Sequence, residues 1–277
     1  MAPRTRSLAK LTPPTLPVVL KRPRLFRLLD TSRARHLTWI TALPGAGKTT
    51  LVASYLKSRR LPVLWYRLDE SDVDPSSFFH YLSIAAKVLA PRYRRPLPIL
   101  TPEYALGLPT FTRRFFQELS ARLPRRCVLV LDNYQEVPAT SGLHQVLAWG
   151  VQELPRHVSV MVMSRQSPPA AMVKLETERA MALVGPERVE LSKAEAKALI
   201  HLHGKRGSDA LPKGVVEDVY RRVGGWAAGI VLTLEYEKKR MPAFDPVDQT
   251  PETVFQYLAG EVLERVSPDV QGLLLKT

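Results

Sequence analysis

The sequence contains only one cysteine, Cys127, so an internal disulfide is excluded. Cys127 lies in an apolar run, where a small buried hydrophobic residue is the expected role. No stretch reaches the roughly 18 uninterrupted apolar residues of a membrane span, and residues 1–10 lack the apolar core of a secretory signal. These absences predict a soluble, cytoplasmic protein without a membrane partner.

Acidic residues are also scarce, because 26 Asp and Glu stand against 40 Lys and Arg, for a net charge of +14. Near the N-terminus only Asp30 opposes the basic residues Arg4, Arg6, Lys10, Lys21, Arg22, Arg24, Arg27, Arg33 and Arg35, and a second cluster is Arg92, Arg94 and Arg95. Clustered cations neutralise phosphates, which leaves a basic nucleic-acid-binding module open as one alternative. No base-reading motif accompanies them, so DNA binding by these segments is not the favoured interpretation.

The order of apolar segments indicates an α/β fold. Strand-like runs alternate with amphipathic helices, which predicts a parallel sheet flanked by helices. The predicted strands cover residues 36–42, 61–68, 127–131 and 158–163. The predicted helices cover residues 48–58, 75–84, 110–123, 144–154, 193–203, 215–236 and 253–265, and the helix 215–236 is interrupted at Gly224 and Gly225. The sequence therefore predicts a layered nucleotide-binding fold followed by helices.

Composition divides the chain into four predicted regions. Residues 1–20 contain four prolines among basic residues and form a basic, proline-rich arm. The α/β domain covers residues 21–185, and a small helical domain covers residues 186–245. Ser192 with Glu195 three residues later forms the capping box that predicts the first helix of that domain. Residues 246–277 form a linker and a further segment.

A glycine-rich loop follows the first predicted strand. Residues 42–49, ALPGAGKT, match the P-loop pattern with Ala in place of its first Gly. In this pattern the backbone N–H groups around Pro44, Gly45, Ala46 and Gly47 surround phosphate oxygens at a helix N-terminus. Lys48 would bridge the β- and γ-phosphates, Thr49 would ligate Mg²⁺, and Thr50 would reach the α-phosphate. The loop predicts binding of ATP or ADP with Mg²⁺.

Two further strand ends carry candidate site residues. Asp132 follows the buried run VLVL and would hold Mg²⁺ through water. Arg165 follows the strand VSVMVM, whose end opens on the same sheet edge as the P-loop, and would reach the γ-phosphate. We expect Lys48, Asp132 and Arg165 to serve any chemistry at the site.

These motifs, taken in order, resemble one known group. They are LKRPRL before the first strand, ALPGAGKTT, WYRLDESD with SSFFHYL, VLVLDNYQEV, VMVMSR, LSKAEAKALI, the Gly-Gly-Trp-Ala turn and FQYLAGEVLERVSPDVQGLLLKT. The chain resembles the MalT-like branch of the STAND P-loop ATPases, which occur in large bacterial transcriptional regulators. The resemblance covers about residues 18–277.

The resemblance implies an ATP/ADP switch. In such proteins the nucleotide-binding and helical domains hold ADP, an effector at a distal sensor domain permits exchange for ATP, and the ATP form self-associates. DNA binding would then use a domain outside this chain. Arg22 matches the family's arginine near the adenine, Gly225 and Trp226 match the turn over the nucleotide, and Arg165 matches the phosphate-sensing arginine. The segment after Pro251 resembles the beginning of the family's winged-helix domain.

One position departs from the family pattern. The family commonly has a second acidic residue after the Mg²⁺ aspartate, whereas this chain has Asn133. An amide cannot accept a proton from water as a carboxylate does, and Glu136 lies further along the chain. The sequence therefore predicts slow or absent ATP hydrolysis. A stand-alone P-loop ATPase is the second alternative, and it would require a catalytic acid close to Asp132.

Overall fold

A computed structural model of the chain describes residues 8–16, 19–204 and 214–238. The predicted beginning of a winged-helix domain, within residues 246–277, lies outside the described residues. The helices are α1 (Pro23–Ser32), α2 (Lys48–Arg59), α3 (Pro75–Leu89), α4 (Leu108–Ser120), α5 (Leu143–Glu153), α6 (Val173–Thr177), α7 (Pro186–Val189), α8 (Lys193–Gly204), α9 (Val215–Val223) and α10 (Ala227–Lys238). The strands are β1 (Leu37–Thr41), β2 (Val63–Arg67), β3 (Val128–Asp132), β4 (Ser159–Ser164) and β5 (Met181–Val184).

The five strands form one parallel sheet in the order β2-β3-β4-β1-β5. In the register of the sheet, Thr41 at the end of β1 lies opposite Ser164 at the end of β4. Asp132 at the end of β3 lies opposite Arg67 at the end of β2. The end of β1, which precedes the glycine loop, therefore lies at the same edge of the sheet as the ends of β3 and β4. Asp132 is the last residue of β3, and Arg165 directly follows β4. The predicted α/β fold with a parallel sheet is confirmed.

The described residues divide into two compact units. The first contains residues 8–13, 26–41 and 55–184, and the second contains residues 14–16, 19–25, 42–54, 185–204 and 214–238.

The core of the first unit is built on the continuous apolar strands. Every residue of β1, β3 and β4 is buried, as expected for parallel strands covered on both faces. A group of aromatic rings on α3 and α4 packs over the sheet, and it contains Phe78, Phe79, Phe111, Phe115 and Phe116. A Cβ atom at Gly150 would lie 2.4 Å from the Phe116 ring, so this glycine permits the close approach of α5 to α4.

Lys10 ties the N-terminal residues of the first unit to the segment after β2. Its ammonium lies 2.9 Å from Asp69 and 3.1 Å from Asp72, whose side chain is fully buried. The same ammonium lies 4.3 Å from the centre of the Tyr81 ring. Part of the region predicted as an arm is thus packed by an ion pair and a cation–π contact.

The second unit has its own small helical core. Helices α8, α9 and α10 pack around Leu191, Ala196, Ile200, Val219, Ile230 and Leu234. The capping box predicted at the start of α8 is formed, because Ser192 Oγ accepts from the Glu195 N–H and Glu195 Oε2 accepts from the Ser192 N–H. Gly224 has φ of +58°, a left-handed value, and separates α9 from α10 where the sequence predicted an interruption. Within the described residues, no helix combines the length and apolar character that crossing a bilayer requires.

Candidate functional site

The glycine loop lies in the second unit and follows β1 directly along the chain. Gly45 and Gly47 have φ of +70° and +83°, values that side-chain-bearing residues rarely adopt. The Ala46 N–H donates to the Leu43 carbonyl at 3.2 Å, which closes a tight turn before α2 begins at Lys48. A Cβ at Gly47 would meet no atom within 4 Å, so backbone conformation rather than crowding requires glycine there. The two glycines therefore shape the loop as the motif predicts.

Lys48 is folded back on the loop. Its ammonium donates to the carbonyls of Ala42 at 2.8 Å and Leu43 at 3.1 Å, and the residue is only 4 % exposed. Thr49 beside it is also buried, at 5 % exposure. The loop thus carries a buried positive charge on a flexible stem at the start of a helix, which is the arrangement that favours an anionic ligand.

Two donors from the helical segment bind carbonyl groups of the loop. Trp226 Nε1 donates to the Pro44 carbonyl at 2.8 Å, and the Ala228 N–H at the start of α10 donates to the Gly45 carbonyl at 2.9 Å. Trp226 is 8 % exposed, so its indole is part of the packed interior. These bonds join two parts of the second unit that are far apart in sequence.

Two glycines on either side of Trp226 permit close packing, Gly225 against Leu191 and Gly229 against the indole. The Gly225 carbonyl accepts from the Leu191 N–H at 2.8 Å, and a Cβ at Gly225 would lie 2.3 Å from the Leu191 carbonyl oxygen. A Cβ at Gly229 would lie 2.4 Å from the Trp226 ring. Gly225 was predicted from the family turn, whereas the sequence gave no reason to select Gly229.

Arg22 lies in a buried ion pair of the second unit. Its Nη2 donates to the Glu190 carbonyl at 2.7 Å and to Glu195 Oε2 at 3.1 Å, and Arg24 donates to the same carboxylate at 3.0 Å. Arg22 Nε is buried and has no hydrogen-bond partner among the described residues. Such an orphaned donor is unfavourable in a protein interior, and a ligand acceptor would satisfy it.

The same contacts set the ionisation of Glu195. Burial has the largest influence and acts to raise its pKa, but hydrogen bonds from Arg22, the Ser192 backbone and Arg24 together outweigh it and bring the pKa to about 2. Burial lowers the pKa of Arg22, and the Glu195 carboxylate opposes that effect. Glu195 therefore has two functions, since it caps α8 and neutralises Arg22.

A small cavity of the second unit brings several of these residues together. Arg22, Gly45, Gly47 and Thr50 line its polar part, along with Ala46. The apolar part is lined by Leu191, Leu199, Leu202, Ala227 and Val231. Five of the predicted nucleotide-binding residues thus share one cavity, whereas Pro44, Lys48, Thr49, Gly225 and Trp226 do not line it. Its volume of about 80 Å³ is well below the roughly 300–1,000 Å³ of ordinary ligand sites, so a nucleotide base would have to displace lining side chains.

Asp132 and Arg165 lie at the carboxyl edge of the sheet in the first unit. Asp132 is 3 % exposed and its Oδ1 accepts from the Asn133 N–H at 3.1 Å. The Arg165 N–H donates to Gln135 Oε1 at 3.2 Å, while the Arg165 side chain is exposed. Gln135 therefore links the segments that follow β3 and β4, a role that its position in the sequence does not reveal.

Asn133 adopts φ of 60° and ψ of 41°, in the left-handed region. Asn tolerates this conformation better than most residues because its short amide can bond locally. The residue at position 133 must therefore adopt the left-handed conformation, which Asp, the acidic alternative, also tolerates.

The oxygen donors predicted for Mg²⁺ are suitable in kind, since the ion prefers hydroxyl, carboxylate, phosphate and water oxygens. Among the described residues, no group of three or more His, Cys, Asp or Glu side chains forms a metal cage.

One known family matches the part of the chain that contains most of these features. The nephrocystin 3 N-terminal family matches residues 15–165, more than half of the chain and a region that includes the glycine loop, Asp132 and Arg165. The chain belongs to the nephrocystin 3 N-terminal family. Curated bacterial relatives also match this chain over nearly its whole length.

Those relatives are HTH-type transcriptional regulators named MalT. The protein of Cronobacter sakazakii is 25 % identical over 263 residues, which cover 92 % of this chain and 28 % of the relative. The protein of Vibrio cholerae is 26 % identical over 282 residues, which cover 97 % and 30 %. The chain thus spans less than a third of the length of these relatives.

Solved structures with the same fold are P-loop ATPases. A STAND protein with a tetratricopeptide repeat sensor from Pyrococcus horikoshii matches 95 % of this nephrocystin-family chain and 35 % of its own, with a TM-score of 0.60 and 14 % identity. A Walker-type ATPase from Pyrococcus abyssi matches 89 % and 75 %, with a TM-score of 0.57 and 16 % identity. The resemblance to MalT-like STAND ATPases that the motifs predicted is confirmed.

Replacing Glu195 with Gln is expected to remove a pH-dependent contribution to stability. Because the folded-state pKa is depressed from 4.5 to about 2, that contribution is fully present above pH 4.5 and is lost as the pH falls through about 2. Urea unfolding across this range should give a difference in unfolding free energy between the original and Glu195→Gln chains that shrinks toward low pH. Glu190→Gln, which alters an exposed side chain nearby, is the control. A difference that stays constant down to pH 2 would contradict the ion pair.

Proposed function

We propose that the chain is the nucleotide-binding switch module of a signal-responsive transcriptional regulator, with ATP or ADP bound at residues 42–49. The observation that carries this proposal is the pair of hydrogen bonds from Trp226 and Ala228 to the carbonyls of Pro44 and Gly45. Through these bonds a change in the loop that holds the phosphates would be transmitted to the helical segment.

In this proposal different residues of the second unit contact different parts of the nucleotide. The backbone around Gly45 and Gly47 would hold the phosphates, with Lys48 leaving its carbonyl partners to bridge the β- and γ-phosphates. The apolar side chains at Leu199 and Leu202 would contact the base, and Arg22 Nε would donate to an acceptor of the bound nucleotide.

Mg²⁺ would neutralise phosphate charge when it is bound, and we assign its protein ligands to Thr49 and Asp132. The chemistry of the two side chains supports this assignment, because Mg²⁺ prefers oxygen ligands such as a hydroxyl and a carboxylate. Arg165 is assigned to the γ-phosphate, and its backbone anchor on Gln135 would transmit the presence of that phosphate to the segment after β3.

The regulatory part of the proposal rests on the relatives. The matched region is less than a third of the MalT regulators, so we propose that effector sensing and DNA binding belong to parts of such proteins outside the match. The ATP form would self-associate and the ADP form would not, which is a population shift driven by different contacts in the two states.

Lys48→Ala is expected to abolish ATP and ADP binding, because it removes the only loop side chain able to place a positive charge on the phosphates. Isothermal titration calorimetry with Mg²⁺ should show affinity weakened by about 100-fold or more, since charged hydrogen bonds are lost at two phosphates. Lys57→Ala, which removes an exposed cation from the same helix, is the matched control and should bind normally. Equal affinity in the two variants would contradict the assignment.

Because Asn133 stands where the family commonly has a carboxylate, we also expect slow ATP hydrolysis. The original chain should turn over ATP below about 1 s⁻¹, the lower end of ordinary enzyme rates. Asn133→Asp retains a residue that tolerates the left-handed conformation and introduces a carboxylate, so a coupled phosphate-release assay should record faster hydrolysis. Asn133→Gly, which adopts the conformation without the carboxylate, should remain slow. Turnover well above about 1 s⁻¹ in the original chain would instead favour a stand-alone ATPase.

A further inference from the structure

A cavity formed entirely by residues of the first unit runs along α3. Ser76, Ser83 and Lys87 lie on one wall, and the loop of residues 93–100 forms another. Its volume of about 570 Å³ falls within the roughly 300–1,000 Å³ of sites that bind small organic molecules. None of the residues assigned to the nucleotide lines this cavity.

The cavity combines positive charge with an apolar floor. The cations are Lys87, Arg94, Arg95 and Arg122, and no Asp or Glu is among the described residues that line it. Phe79 and Leu97 contribute apolar surface and are 1 % and 6 % exposed. Arg94 and Arg95 belong to the basic cluster that the nucleotide site leaves without a function. A ligand that suits these walls carries an anionic group on an apolar body.

Arg122 provides an independent indication that a ligand is missing. Its side chain is 7 % exposed, and its Nη2 donates to the Pro96 carbonyl at 3.0 Å and to Glu118 Oε2 at 3.4 Å. The guanidinium also lies 5.0 Å from the centre of the Tyr93 ring. Its Nε, however, is buried without a hydrogen-bond partner among the described residues. A guanidinium group that is held this firmly and has an unused N–H donor is suited to bind an oxyanion.

We propose that this cavity binds a small organic anion whose phosphate or carboxylate contacts Arg94, Arg95 and Arg122 and whose apolar part lies on Phe79 and Leu97. The concave shape and buried apolar floor favour a small molecule over nucleic acid, which usually requires an extended basic surface. The site gives the chain a second ligand independent of the nucleotide.

Calorimetric titration with 1-naphthyl phosphate tests this site, with 1-naphthoate as the carboxylate form and 1-naphthol as the neutral form. The full chain should bind one or both anions and bind 1-naphthol at least about tenfold more weakly, because the neutral probe lacks charged hydrogen bonds. The difference between the two anions distinguishes a phosphate site from a carboxylate site. Binding of neither anion, or equal affinity for 1-naphthol, overturns the proposal.

Paired variants locate the binding. Arg94→Gln with Arg95→Gln should weaken the anion by about tenfold or more, since two exposed cations are removed without disturbing the core. Arg92→Gln with Arg156→Gln removes the same charge at exposed positions outside the cavity and should leave binding unchanged. Arg122→Met tests the orphaned donor and should weaken binding further, and the exposed pair decides the outcome if that variant does not fold.

The titration is repeated in Lys48→Ala to separate this site from the glycine loop. Binding should be unchanged in that variant, whereas its disappearance would assign the probe to the loop and overturn the proposal. If both arginine pairs weakened binding equally, the effect would depend on net charge alone, and the proposed site would be overturned. Displacement of the probe by short duplex DNA at similar concentrations would assign the surface to nucleic acid instead.

Discussion

The hydrogen bonds that hold the carbonyls of Pro44 and Gly45 are the constraint on which the candidate site depends. In a trans peptide the C=O and N–H groups point in opposite directions, so fixing these carbonyls on Trp226 and Ala228 also fixes the direction of the neighbouring N–H groups. A phosphate-binding loop works through its backbone N–H groups, and in this structure that of Ala46 donates to the Leu43 carbonyl. The helical segment therefore contributes to the loop's shape, and the left-handed values at Gly45 and Gly47 make that shape accessible.

The buried ion pair of Arg22 and Glu195 supports the same arrangement from a second direction. Glu195 is held by the start of α8, while Arg22 precedes α1 and lines the cavity beside Gly45 and Thr50. Removing Glu195 would leave the buried charge of Arg22 without its carboxylate partner, which is strongly unfavourable. The pair leaves Arg22 Nε buried without a hydrogen-bond partner among the described residues, and the proposed function assigns that donor to the nucleotide.

The sequence predicted the fold well where physical signals are local. Continuous apolar runs revealed β1 to β4, and the capping box revealed α8. It missed β5, because Met181–Val184 is short and lies beside charged residues, and α1, because its basic residues and Pro23 concealed an apolar stripe at Leu25 and Leu29. The loop motif identified Lys48, but the pairing of Trp226 with Pro44 joins residues 182 positions apart. No local pattern encodes such a contact, and the family resemblance supplied Trp226 without its partner.

The central claim is that residues 42–54 and the helical segment of the second unit hold one adenine nucleotide. Photolabelling of the full chain with 8-azido-ADP, followed by peptide mapping, tests this most directly, because the azide reacts with residues beside the base. The account predicts labelling within residues 19–22 or 199–203, and excess ADP should prevent it. Absence of labelling, or labelling that maps to residues 76–100 and persists with excess ADP, would contradict it.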